Sequence, residues 1–235
     1  MRFLVAFASL SMCATGLYAA DTAADRLQDS AVVLREIMGA PDKGIPHDLL
    51  EKARCIMIVP GLKKGAFIVG GEYGKGFAMC RRPGSQQWGA PAAITMSGGS
   101  FGFQIGGSDT DVVVLAMNQR GMERLMSDKF QLGADASVAA GPVGRTAQAE
   151  TDLELRAEML SWSRSRGVFA GISLNGAVVK PDQGANEQLY GHKMSNRDIL
   201  ASNMRPPAAA RELIAELNRY SPHREGSGTA ARERH

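Results

Sequence analysis

The sequence has little of what most often carries chemistry. Three cysteines and four histidines occur in 235 residues. His47, His192, His223 and His235, together with Cys55 and Cys80, show no C-x-x-C or H-x-x-x-H spacing, so the common zinc-site patterns are excluded. No apolar run beyond the first twenty residues approaches the roughly 18 residues of a spanning helix. Charge of one sign is lacking too. The 27 Lys and Arg stand against 24 Asp and Glu, a net +3 that makes no case for a nucleic-acid partner. Disorder is excluded by a hydrophobic fraction of 44%. The length suits one domain with small appendages.

Phosphate loops are also missing. Gly70-Gly71-Glu72-Tyr73-Gly74-Lys75-Gly76 is one residue short of the loop spacing, with no Ser or Thr after the lysine. Gly141-Pro142-Val143-Gly144-Arg145-Thr146 has no lysine. Neither lies between a strand and a helix, the setting that aims backbone N–H groups at phosphate. No cofactor is expected. Gly98-Gly99-Ser100-Phe101-Gly102 matches the G-x-S-x-G nucleophile pattern, with Asp111 or Asp128 and then His192 downstream. That pattern works only on a strained turn from strand into helix, and the residues after Ser100 are β-type and glycine. A serine hydrolase using Ser100 therefore stands as a remote alternative, and Asp109 with Asp111 reads as turn chemistry. No enzyme is expected.

What is present starts with an address. Arg2 precedes an apolar stretch at 3–14, followed by Ala14-Thr15-Gly16 and Ala19-Ala20 before Asp21. This is the anatomy of a secretory signal over 1–20. It implies an exported protein, periplasmic or envelope-associated. Leu10-Ser11-Met12-Cys13 resembles a lipoprotein box, but Met12 is large for the residue before a lipidated cysteine, so anchoring through Cys13 is the alternative. Removal of 1–20 leaves 26 basic and 24 acidic residues, with Cys55 and Cys80. In an oxidising compartment those two invite a disulfide if their strands are neighbours; otherwise both thiols stay buried and inert.

The remaining chain divides into a domain at 21–203, a C-terminal helix at 204–220 and a disordered tail at 221–235. Residues 21–38 carry Leu27, Ala31, Leu34 and Met38 at helical spacing. Thr22 and Asp25 form an N-terminal capping pattern, and the charges Asp25, Arg26, Asp29, Arg35 and Glu36 mark a solvated face. Pro46 opens a short helix with Leu49, Leu50 and Ala53. From Arg54 on, short apolar runs alternate with glycine turns, and thirteen glycines fall between Gly61 and Gly107. Glycine within strands marks bulges, coiling or close backbone approach. Val112 to Met117 reads as a buried strand, Asn118 caps a short helix, and 133–144 reads as flexible. Leu153, Leu155, Ala157 and Met159 alternate as in a half-exposed strand. Asn175-Gly176 between two apolar runs predicts a two-residue hairpin. Short helices follow near 186–189 and 196–200, and Pro206-Pro207 introduces the last. Trp88 and Trp162 read as core. The expected fold is α+β: a strongly coiled, barrel-like antiparallel sheet with N-terminal helices and short C-terminal helices.

Charge is distributed unevenly. Between Lys52 and Arg82 there are seven basic residues, Lys52, Arg54, Lys63, Lys64, Lys75, Arg81 and Arg82, against Glu72 alone. Most sit at or beside turns, and Arg164 and Arg166 lie at a later one. They fit either simple solubility or a basic rim for anionic headgroups, each charge being worth about 1 kcal/mol near a membrane.

One family joins these fragments. Ile45-Pro46, Ala53, Ile56-Met57-Ile58, Lys64-Gly65-Ala66, Gly70-Gly71, Gly74, Gly76, Trp88-Gly89-Ala90-Pro91, Gly106, the 139–145 run, the 163–171 run, Tyr190-Gly191 and Ile199-Leu200 together resemble a SYLF domain over about 26–203. The resemblance implies non-enzymatic binding of anionic lipid, typically phosphoinositides in eukaryotic members, and F-actin in some. An exported bacterial member would meet phosphatidylglycerol or cardiolipin instead, and actin only if exposed to a eukaryotic host. The residues expected to meet headgroups are Lys63, Lys64, Lys75, Arg81 and Arg82. The alternative is an envelope scaffold that binds another protein.

Overall fold

The computed structural model describes residues 22–40, 44–66, 69–101, 106–143, 157–165, 168–172 and 174–221. The export segment, Cys13, Arg166, the 151–156 part of the alternating strand, and the tail from 222 lie outside the described residues. Helix α1 spans Ala23–Met38 and starts on the expected capping box: Thr22 Oγ1 accepts the Asp25 N–H at 3.1 Å, and the Asp25 carboxylate accepts the Thr22 N–H at 3.1 Å. Leu27, Ala31, Leu34 and Ile37 are fully buried along its inner face. The opposite face is not simply solvated. Arg26 is buried, Arg35 pairs with Glu212 and Glu216, and Glu36 pairs with Arg164. A short helix α2, His47–Lys52, follows.

Strands β1 (Cys55–Ala66), β2 (Val69–Cys80), β3 (Ala92–Phe101) and β4 (Gly106–Ala116) form the centre of the sheet. Next come α3 (Gln119–Leu125), β5 (Phe130–Gln131), β6 (Val138–Ala140), β7 (Met159–Ser165), β8 (Val168–Gly171) and β9 (Val178–Pro181). Helices α4 (Gln183–Tyr190), α5 (Asn196–Leu200) and α6 (Arg211–Tyr220) end the described chain. The nine described strands lie in the order β5-β9-β3-β2-β1-β4-β7-β6, with β8 added to β7. The pairing is antiparallel except for β6 with β7. The sheet is strongly curled, as expected, and both faces are covered. One core holds α1, α2 and α6 with Ile58, Phe77, Val113 and Trp162. The other holds Met57, Met96 and Val114 with α3 and α5 residues.

The glycines from Gly61 to Gly76 lie inside two long strands, β1 and β2, where the sequence suggested turns. β1 is central, flanked by β2 and β4, yet contains Pro60, which donates no ladder bond. A bulge resolves this. The register shifts between Val59 and Leu62, Gly61 adopts φ +54°, and its freed N–H donates to Asp111 Oδ1 at 2.9 Å. β2 crosses this bulge so closely that a Cβ on Gly76 would lie 2.0 Å from the Ile58 carbonyl oxygen.

Two further expectations are corrected. Gly176 does make a tight turn, at φ +92°, but β8 and β9 do not pair across it. The Gly176 N–H donates to the Leu132 carbonyl and Leu132 N–H to that of Ala177, both at 2.8 Å, so the turn docks on another loop while its arms separate to β7 and β3. The stretch read as flexible contains β6. There Trp162 lies against Gly141, where a Cβ would meet the ring at 2.1 Å, and its Nε1–H donates to the Pro142 carbonyl at 2.9 Å. Both tryptophans are core residues: Trp88 is buried and donates to Ser221 Oγ at 3.0 Å, tying the end of α6 to the sheet.

Candidate functional site

The five cations expected at a rim divide between the disulfide end of the β1–β2 ladder and the stretch from the bulge, where Lys75 lies, to the hairpin. Toward the hairpin end, Lys63 stands opposite Asp109 of β4, with Nζ 3.3 Å from its carboxylate. Lys64 faces Glu72 across the β1–β2 pair at 3.3 Å, and Lys75 meets Asp182 at 2.9 Å. Each lysine thus has its own acid. Burial works to raise the Asp182 carboxyl, but the Lys75 ammonium and the Ala185 N–H, which the carboxylate caps at 3.1 Å, outweigh it and hold that group below its usual range.

The other end is built on a disulfide. Cys55 and Cys80 are direct partners in the ladder, 3.9 Å apart at Cα and bridged. The bridge sets Arg54 beside Arg81, whose N–H donates to the Arg54 carbonyl at 2.8 Å, and Arg82 follows. The Arg81 side chain turns inward. Its Nε donates to the Ala53 carbonyl at 2.9 Å and Nη2 to those of Leu50 and Glu51 at 3.1 and 3.2 Å, while Nη1 donates to Gln86. It therefore caps the last carbonyls of α2, which attract a cation. It also lies over the Trp88 ring at 4.4 Å. Burial lowers the Arg81 pKa, and no carboxylate hydrogen-bonds it among the described residues. Arg81 is thus a structural cation, half-buried rather than presented on a rim.

Around Arg81 lies a cleft of about 740 Å³ lined by Lys52, Arg54, Arg82, Glu51, the Pro83-Gly84 turn and Met122. Lys52 pairs with Asp48 at 3.2 Å, but both side chains are more than half exposed. Arg54 is exposed and makes no ion pair among the described residues. The Nε of Arg82 is buried with no hydrogen-bond partner among them. Four cations and one acid therefore share one concavity. A planar guanidinium with free donors fits phosphate or carboxylate oxygens in pairs. Sequence reasoning counted Arg54 in the basic run but did not choose it. The signal that could have found it was the pairing of Cys55 with Cys80, since residues beside bridged cysteines in a ladder are neighbours.

The hydrolase alternative does not survive this geometry. Ser100 pairs with Gly70 on an unbroken ladder running from Ala78 and Ala92 to Val69 and Phe101, so it sits in a strand and not on a strand-to-helix turn. Asp111 is committed to Arg164, at 2.6 Å, and to Gly61.

A model of the Ysc84 family, described as Las17-binding protein actin regulator, matches residues 97–220, more than half of the chain. The chain belongs to the Ysc84 family. It is similar to SH3 domain-containing YSC84-like protein 1 of Rattus norvegicus, 32% identical over 205 residues, which are 85% of this chain and 60% of that protein. It is equally similar to LAS seventeen-binding protein 3 of Saccharomyces cerevisiae, 32% identical over 213 residues, 88% of this chain and 46% of that one. This Ysc84 chain thus spans about half to three-fifths of the length of these relatives. The arginines of the cleft lie before the segment that the family model matches, and Met122 of its wall lies within it.

Proposed function

We propose that this Ysc84 chain is an exported, non-enzymatic module that binds anionic phospholipid at a membrane surface, with the disulfide-end cleft as its headgroup site. The observation that carries the reading is the excess of cations there, with Arg54 free of any ion pair and the Arg82 Nε buried without a partner among the described residues. Arg54 and Arg82 meet the headgroup, Lys52 adds charge, and Arg81 positions the wall between them. Lys63, Lys64 and Lys75, already matched by acids, contribute weakly at the opposite end. The lipids within reach are phosphatidylglycerol and cardiolipin. Export, to the periplasm or envelope, is supported by the 1–20 pattern and by a cystine that suits an oxidising compartment. Helix α1 has its apolar face in the core and is not the membrane-contacting element.

Co-sedimentation tests this. The protein should pellet with phosphatidylglycerol vesicles at low salt, release as exposed charges are screened over about 8 Å at physiological strength, and ignore phosphatidylcholine. Equal binding to both vesicles at every salt removes the reading. A second reading, an envelope scaffold for another protein, is favoured by the Las17-binding description of the family. A partner captured without lipid, and lost in an Arg54→Glu/Arg82→Glu variant, would replace the first.

A further inference from the structure

The sheet face under α1 continues beyond the helix. Along β2 the inward positions run from Met79 and Phe77 to Lys75 and Tyr73. Along β4 they run from Val113 to Asp111, and along β7 from Trp162 to Arg164. Where α1 no longer seals the sheet, a cleft of about 500 Å³ opens, a size ordinary for a small-molecule site. Its wall is apolar: Val32 and Val33 from α1, Pro60 from the β1 bulge and Tyr73 from β2. Val32 is 40% exposed and Tyr73 51%; with Val168 they are the large hydrophobic residues left exposed among the described residues, and two of the three face this one cleft. Scattered exposed apolar residues need no explanation, but a pair converging on a concavity marks a contact surface.

The polar groups around it are mostly committed. Arg164 and Asp111 satisfy each other, Asp111 also holds the bulge, and Lys75 is held by Asp182. Lys63 differs. Its side chain is 78% exposed and its partner Asp109 is 67% exposed, so their pairing adds almost nothing and the ammonium is free to turn to a ligand. The other lining cations stand among acids, Asp29 and Asp111 in the wall and Asp182 and Glu36 just behind it, so the loosely held Lys63 is the one available at the edge. An apolar slot with a loosely held lysine at its edge complements one acyl chain ending in an anion.

We infer that the cleft between α1 and the β1–β2 hairpin binds a single-chain anionic amphiphile, a long-chain fatty acid or lysophospholipid, with the chain against Val32, Val33, Pro60 and Tyr73 and the acid group at Lys63. The site is separate from the arginine cleft and does not depend on headgroup binding there.

Calorimetric titration of the purified protein with monomeric oleate and with lysophosphatidylglycerol tests it. The expected result is saturable binding of one molecule per chain, weakening at least tenfold when the fatty acid is shortened to eight carbons. Val32→Ser/Tyr73→Ser should weaken oleate at least fivefold and leave vesicle pelleting intact; both side chains are surface-exposed, so the core is untouched. Lys63→Gln should weaken oleate but not a neutral long-chain alcohol. Arg54→Glu/Arg82→Glu should leave oleate binding unchanged, which separates this site from the headgroup reading. Binding that ignores chain length, or is unaffected by Val32→Ser/Tyr73→Ser, overturns the inference. So does a dimer by light scattering that Tyr73→Ser converts to monomer, because a second copy would then be the occupant.

Discussion

The two ends of the β1–β2 ladder carry similar positive charge and use it in opposite ways. At the hairpin end Lys63, Lys64 and Lys75 each face an acid supplied by a neighbouring strand or by the N-cap of α4. At the disulfide end Arg54, Arg81 and Arg82 meet backbone carbonyls, an aromatic ring or, among the described residues, nothing. Counting charges along the sequence makes the ends equal. Counting partners separates a surface whose cations each have an acid within reach, Lys63 only loosely, from one whose arginines pair with none among the described residues. The cystine sustains the second, since crosslinking Cys55 to Cys80 holds Arg54 beside Arg81.

The strongest way to break the contrast is to cut the crosslink. Cys55→Ala/Cys80→Ala reopens a loop of 25 residues in the unfolded chain, and chain entropy puts the loss at about 3–4 kcal/mol. The urea midpoint of the variant should fall accordingly, and its affinity for phosphatidylglycerol vesicles should fall with it. Undiminished vesicle binding by a folded variant would mean that the crosslink does not organise the cleft. Next in size is Arg81→Met, which keeps the stem but leaves carbonyls of Leu50, Glu51, Ala53 and Gln86 without their donor. An expected loss of about 1–3 kcal/mol, read from thermal unfolding, identifies Arg81 as a fold cation.

Binding should divide in the same way. Arg54→Gln/Arg82→Gln removes two charges from the cleft. At about 1 kcal/mol each, vesicle affinity should drop roughly thirtyfold with no change in unfolding temperature. Lys63→Gln/Lys64→Gln removes two charges about 25 Å away along the strands, several screening lengths from a membrane docked at the arginine end. Less than a twofold change is expected in the same assay. Equal losses in both variants would erase the distinction and return the function to a diffuse basic surface.

How much of this could be read in advance follows from the range of the interactions. The helices were legible because their signals are local: the Thr22 and Asp25 cap, the Asn118 cap, and Leu27, Ala31 and Leu34 at helical spacing. The coiling was legible in the glycines, though not that Gly74 and Gly76 sit opposite a proline bulge in another strand. The Asn175-Gly176 hairpin failed because the turn residues set only the local bend. Its arms were claimed by longer-range partners, β8 by β7 and β9 by β3 and β5. The site was half legible for the same reason. Lys63 and Asp109 are 46 residues apart and Lys75 and Asp182 far more, so nothing near the lysines announced their acids.

The smallest effect distinguishes the lysine pairs from each other. Asp182 titrates below its ordinary value of 3.8 because Lys75 and the Ala185 N–H favour its charged form over the opposing cost of burial. A carboxyl lowered by folding stabilises fully above its unfolded value and loses that contribution as pH falls through the folded one. Asp182→Asn keeps an N-cap but removes the charge, so at pH 7 it should lower stability by up to about 1 kcal/mol. The gap from the parent should begin to close as pH falls past 3.8 and disappear once it drops below the lowered folded value, as the parent carboxyl protonates. Asp109→Asn, by contrast, breaks a pair in which both side chains are mostly exposed, and it should shift the urea midpoint at neither pH. A gap for Asp182→Asn that stays constant from pH 7 down through the whole acid range would show that its contribution is the hydrogen bond of the cap alone. Lys75 would then be as loosely held as Lys63, and the hairpin end would carry two cations free to meet a ligand.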